Sequence, residues 1–79
     1  MEELEGTYSP EQIQEIVFGK EDFLDITPYL DPKFTAEQMR EIRFGIIENI
    51  NIQEYANPNI DAKQMREIRI SLSKKNRIV

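Results

Sequence analysis

Cysteine and histidine are both absent from this 79-residue chain. Their absence removes disulfides, thiolate nucleophiles and the usual zinc and imidazole chemistry together. No apolar stretch approaches the roughly 18 residues of a membrane-spanning helix. The acidic start Met1-Glu2-Glu3-Leu4-Glu5-Gly6 has no apolar signal-peptide core, so a cytoplasmic chain is expected. Positive charge is also scarce, with ten basic residues against fifteen acidic ones and a net charge of −5. Phosphate backbones repel such a chain unless its basic residues cluster. The one dense basic run, Lys74, Lys75 and Arg77, reads as a solvated terminus. The length allows one domain, and a domain this small buries only about 60% of its unfolded surface.

What is present is a repeat. Segments starting at Tyr8, Phe34 and Ile60 align at a spacing of 26 residues without a gap. Gln12, Gln38 and Gln64 coincide, as do Glu15, Glu41 and Glu67, and Ile16, Ile42 and Ile68. Tyr29 and Tyr55 recur three residues before Pro32 and Pro58. The domain plan is a tail over residues 1–7, then units 8–33, 34–59 and 60–79, the third lacking its second half.

Every unit opens with helix-start signals. Ser9, Thr35 and Asp61 are N-cap residues, and the glutamine three positions on completes a capping box. Tyr8, Phe34 and Ile60 precede the caps, with Ile13, Met39 and Met65 five residues later as the other half of a hydrophobic staple. The middle helix is expected from about Ala36 to Glu48, with Asn49 in a left-handed cap. Phe23 stands in the place of Asn49 in the first unit, which leaves that cap undefined. Asp25 and Asn51 then cap short helices predicted over 26–31 and 52–57, halted by Pro32 and Pro58. The fold class is therefore all-α, a short α-solenoid-like array of helix–turn–short-helix repeats.

At about 100° per residue, Met39, Ile42, Ile46 and Ile50 form one stripe, while Phe44 and Ile47 fall well outside it. This width predicts that Phe44 and Ile47 are buried between units, with Glu21 and Ser73 exposed at the ends. It also predicts an uncovered apolar face at Ile70 or Leu72, open to self-association or to a continuing repeat. Gly19, Gly45 and Ser71 recur in mid-helix, where glycine costs about 1 kcal/mol relative to alanine. A close approach of the following short helix would account for that recurring cost.

The strings Glu-Gln-Met-Arg-Glu-Ile-Arg-Phe-Gly and Lys-Gln-Met-Arg-Glu-Ile-Arg-Ile-Ser resemble short tandem helical repeats of about 26 residues. Repeats of this kind, with a Gln-Met-Arg-Glu-Ile-Arg core, occur in uncharacterised bacterial multi-repeat proteins. The resemblance covers residues 8–79, and the first unit departs from it at Gln14 and Val17. It implies an α-helical array and no particular activity.

Among candidate binding residues, Arg40 with Arg66 and Arg43 with Arg69 would stack into a basic stripe able to grip carboxylates or phosphates. The favoured alternative has them paired locally, as Glu37 with Arg40, with their stems laid over apolar surface. Lys63 with Glu67 is a similar local pair. Glu15, Glu41 and Glu67 read as a solvated face, since acid–base catalysis needs carboxylates in contrasting environments. Tyr29 and Tyr55 are either binding platforms or spacers whose hydroxyls reach water or backbone. No catalytic set, cofactor site or calcium loop is legible.

The function these features suggest is non-enzymatic: protein–protein interaction or scaffolding through a still unidentified protein partner. A structural spacer within a longer array is the alternative. A third reading, nucleic-acid binding, is disfavoured by the charge. As a helix-turn-helix reader the chain would have only short second elements presenting Thr27, Gln53 and Glu54.

Overall fold

The computed structural model describes residues 7–77, and the side chains of residues 7–74. Most of the expected tail over residues 1–7, and the side chains of Lys75 and Arg77, lie outside the described residues. The described chain is all-helical: α1 (Pro10–Glu21), α2 (Ala36–Ile47) and α3 (Ala62–Arg77). A single 3₁₀ turn follows α1 at Thr27–Tyr29, and another follows α2 at Ile52–Glu54. No helix among the described residues is long and apolar enough to cross a membrane.

The helices start where the caps place them. Ser9 and Thr35 each accept from the backbone N–H three residues on, and Gln12 and Gln38 return the bond to the cap N–H. Asp61 accepts from the Gln64 N–H at 2.8 Å. Two of the four backbone donors stranded at a helix start are thus satisfied in α2 by side chains three residues apart.

Both helix ends use one device. The Asn49 N–H donates to the Ile46 carbonyl and the Ile50 N–H to that of Gly45, with Asn49 at φ 58°. The same pair of bonds closes α1 from Phe23 to Lys20 and from Leu24 to Gly19, with Phe23 at φ 59°. This is the Schellman arrangement, so the first helix has the cap that its sequence left undefined. It has it at a cost, because a bulky side chain is strained in the left-handed region and Phe23 is 95% exposed.

The short second elements are one turn rather than the helices expected over 26–31 and 52–57. Asp31 and Asn57 turn the chain instead of continuing it: their side chains accept from the Lys33 and Asn59 N–H groups at 2.9 Å. Such side chain-to-backbone turns compete directly with a helix. Asp25 and Asn51 cap the turns as expected, accepting from Thr27 and Gln53. The Thr27 side chain and N–H also hold the Asp25 carboxyl below its usual pKa.

The core consists of Ile16, Tyr29, Phe34, Met39, Ile42, Tyr55 and Met65. Each large apolar side chain buried this way contributes about 1.5–3 kcal/mol, so few of them decide the stability of so small a domain. The glycines explain themselves here. A Cβ on Gly19 would collide with the Tyr29 hydroxyl and sit 2.6 Å from an Ile26 methyl, and Gly45 stands in the same relation to Tyr55 and Ile52. The recurring glycine cost is offset by seating the tyrosine of the following turn against the helix.

The off-stripe expectation needs correction. Ile47 is 51% exposed and Phe44 is half-buried. The arriving α3 puts the Arg69 guanidinium 5.3 Å from the centre of the Phe44 ring, so the contact is cationic on that side. Glu21 is exposed as expected, whereas Ser73 is half-buried.

Candidate functional site

Four residues of α1, Gln12, Glu15, Ile16 and Gly19, lie at helical spacings that place them on one face. Gln38, Glu41, Ile42 and Gly45 form that face on α2, and Gln64, Glu67, Ile68 and Ser71 form it on α3. On α1 it is filled. The Gln12 amide donates to the Pro32 carbonyl at 3.2 Å and to the Phe34 carbonyl at 2.5 Å. Glu15, only 3% exposed, accepts from Arg43 Nε at 3.0 Å and Arg40 Nε at 3.4 Å. Ile16 has no exposed surface, and the Tyr29 hydroxyl donates to the Glu15 carbonyl at 3.0 Å.

The α2 face repeats this. Gln38 donates to the Pro58 and Ile60 carbonyls at 3.1 and 2.7 Å. Glu41 accepts from Arg69 Nε at 3.0 Å, Arg69 Nη1 reaches Glu48 at 3.0 Å, and the Tyr55 hydroxyl donates to the Glu41 carbonyl at 2.7 Å. Burial alone would lower the Arg69 pKa, but the two carboxylates hold it above its ordinary value. The glutamates at these two positions are therefore not the solvated face that the sequence suggested. They are charge acceptors for the helix that arrives next, and burial is tolerated because a guanidinium comes with it.

The arginines divide into two kinds. Arg43 and Arg69 have only 12% and 13% of their side chains exposed and are spent on internal ion pairs. Their guanidiniums also alternate with aromatic rings: Arg43 lies 5.3 Å from the Phe18 centroid and 4.9 Å from that of Phe44. Arg40 is half exposed beyond its contact with Glu15, and Arg66 is exposed. Four arginines thus do not form one open stripe. Nor do the local pairs form, for the ion pairs of the described residues include neither Glu37 with Arg40 nor Lys63 with Glu67.

Tyr29 and Tyr55 are fully buried, so neither ring is at the surface as a binding platform. They are spacers with hydroxyls on backbone carbonyls, and burial raises both phenol pKa values, that of Tyr29 to about 12. Sequence reasoning missed the double duty of the glutamines, which close capping boxes and clamp the next turn. The signal was available: Gln12, Gln38 and Gln64 are identical where a cap alone accepts Glu as well.

On α3 the face is open. Gln64 and Glu67 are exposed and Ile68 is only half-buried. With Glu54, Ser71 and Leu72 they line a groove of about 420 Å³. Compared with protein-family models, with curated proteins and with solved structures, the chain matches none.

Proposed function

We propose that the chain is a short α-solenoid-like array of 26-residue units, of the kind its Gln-Met-Arg-Glu-Ile-Arg core resembles. In this reading it works without catalysis of its own, as a protein–protein interaction or scaffolding module. One observation carries this: the glutamine clamp and the arginine–glutamate pair that seat α2 on α1, Gln12 and Arg43–Glu15, recur at equivalent positions as Gln38 and Arg69–Glu41 where α3 sits on α2. A chain whose internal architecture consists of docking one amphipathic unit on the next already has the chemistry for docking a foreign one. The nucleic-acid reading loses support, because Arg43 and Arg69 are committed to carboxylates on a chain of net charge −5.

A photo-reactive residue in place of Arg66, in the full chain and in an extract of its source, tests this reading. Discrete protein adducts that excess unlabelled chain competes away are the expected result. Failure to obtain such adducts from Arg66 and equally from Glu37, Ile47 and Ser71 would leave the structural spacer as the function.

A further inference from the structure

The open face of α3 is an interface with one side missing, and the two filled faces say what belongs on it. In α1 and α2 the glutamine holds two carbonyls of a tight turn, and the glutamate holds an arginine of the helix that follows that turn. Gln64 and Glu67 repeat the residues without the partners: among the described residues no carbonyl accepts from the Gln64 amide and no cation pairs with Glu67. Ile68, whose equivalents Ile16 and Ile42 have no exposed surface, forms the apolar floor with Leu72.

Resting on the interaction reading above, we infer that the groove lined by Gln64, Glu67, Ile68, Ser71 and Leu72 docks an arginine-bearing amphipathic helix of a partner. That helix carries arginines at i and i+3 and is preceded by a tight turn whose carbonyls meet Gln64. Charge selects this occupant over a second copy of the chain. The helix that a second copy would present at its free end is α1, and α1 has Gln14 and Val17 where α2 has Arg40 and Arg43. Glu67 would remain unpaired against it. Ser71 sharpens the specificity further. A Cβ at the equivalent Gly19 and Gly45 meets the tyrosine hydroxyl and an isoleucine methyl too closely, so this face does not seat a tyrosine-bearing 3₁₀ turn as the first two do. The partner contributes its helix and the turn before it, with no tyrosine packed against Ser71.

The probe is a synthetic peptide of residues 31–48, the segment that fills the α1 face, added to the isotope-labelled full chain. Amide shifts should saturate at Gln64, Glu67, Ile68 and Ser71. A peptide with Arg40→Gln and Arg43→Val, the residues of the first unit, should bind about tenfold more weakly or worse, equivalent to about 1.4 kcal/mol. Glu67→Gln in the chain should produce the same loss, and added salt should narrow the difference between the arginine peptide and its variant. Equal binding of the two peptides, no saturable shift, or shifts confined to α1 would each overturn the assignment. So would shifts at these four residues that grow with chain concentration alone, since the occupant would then be a second copy. Competed adducts at Arg66 with no peptide binding would reject this groove and spare the broader interaction reading, whereas failure of both would reject that reading too.

Discussion

Glu15 and Glu67 occupy equivalent places on two helices, and their surroundings are opposite. Glu15 is 3% exposed and held by two guanidiniums, while Glu67 faces solvent. The Gln-x-x-Glu-Ile pattern is the same on both helices. The difference lies in what arrives: α2 brings Arg40 and Arg43 to the first face, and among the described residues no cation pairs with Glu67 on the third. The role of these glutamates is therefore set by the helix that packs against them.

The largest expected effect comes from breaking that contrast. Glu15→Ala leaves Arg43 largely buried without its carboxylate, which should cost about 3 kcal/mol in chemical denaturation. Glu67→Ala should stay within about 0.5 kcal/mol of the parent, as exposed substitutions do. Similar losses at the two positions would mean that the third face is covered.

The glycines give the next contrast. Gly45→Ala would ordinarily stabilise a helix by about 1 kcal/mol, yet here the new methyl meets the Tyr55 hydroxyl and Ile52. The expected net result is a loss of about 1–3 kcal/mol, the usual cost of overpacking, partly recovered by adding Tyr55→Phe. At Ser71 the same Ala substitution should be neutral or mildly stabilising. A stabilised Gly45→Ala variant would contradict the close approach of the turn.

The buried tyrosines set the alkaline limit. Burial raises the phenol pKa of Tyr29 from 10.0 to about 12 and raises that of Tyr55 as well. The folded state therefore keeps protons that the unfolded state releases. This contribution to stability is complete below pH 10 and is lost as pH rises towards 12. In a Tyr8→Phe background, phenolate absorbance should rise together with loss of helical circular dichroism. Phenolate formation with the helices intact would show the rings to be accessible.

The smallest effect separates the two helix ends. Phe23→Asn gives the first cap the residue of the second and removes an exposed ring, with an expected gain of about 1 kcal/mol from relief of left-handed strain. Asn49→Phe should lose a similar amount. A destabilised Phe23→Asn variant would mean that the ring makes a contact worth more than the strain.

Much of this was legible in the sequence because it is local. The caps, the helix starts and the left-handed Asn49 follow from residues within a few positions of one another, and the reason for the glycines lies in the turn that follows the same helix. The stripe of Met39 and Ile42 was legible from periodicity. What escaped is long-range: Gln12 reaches Phe34 and Glu15 reaches Arg43. Periodicity reports which face is apolar but says nothing of which charged residue is carried over it. Ile47 was misplaced for the same reason, since an arginine rather than an apolar neighbour lies against Phe44. Of the candidate binding residues, Tyr29, Tyr55, Arg43 and Arg69 turned inward, leaving Arg40 and Arg66 in contact with solvent.

The central claim is that one face, written three times, is filled on α1 and α2 and open on α3. Its most direct test is methyl relaxation of the isoleucines in the presence of a soluble paramagnetic probe. The Ile16 and Ile42 methyls, with no exposed surface, should be protected, while those of Ile68 should broaden. Protection of Ile68 equal to that of Ile16 would contradict the claim, because the third face would then already be filled.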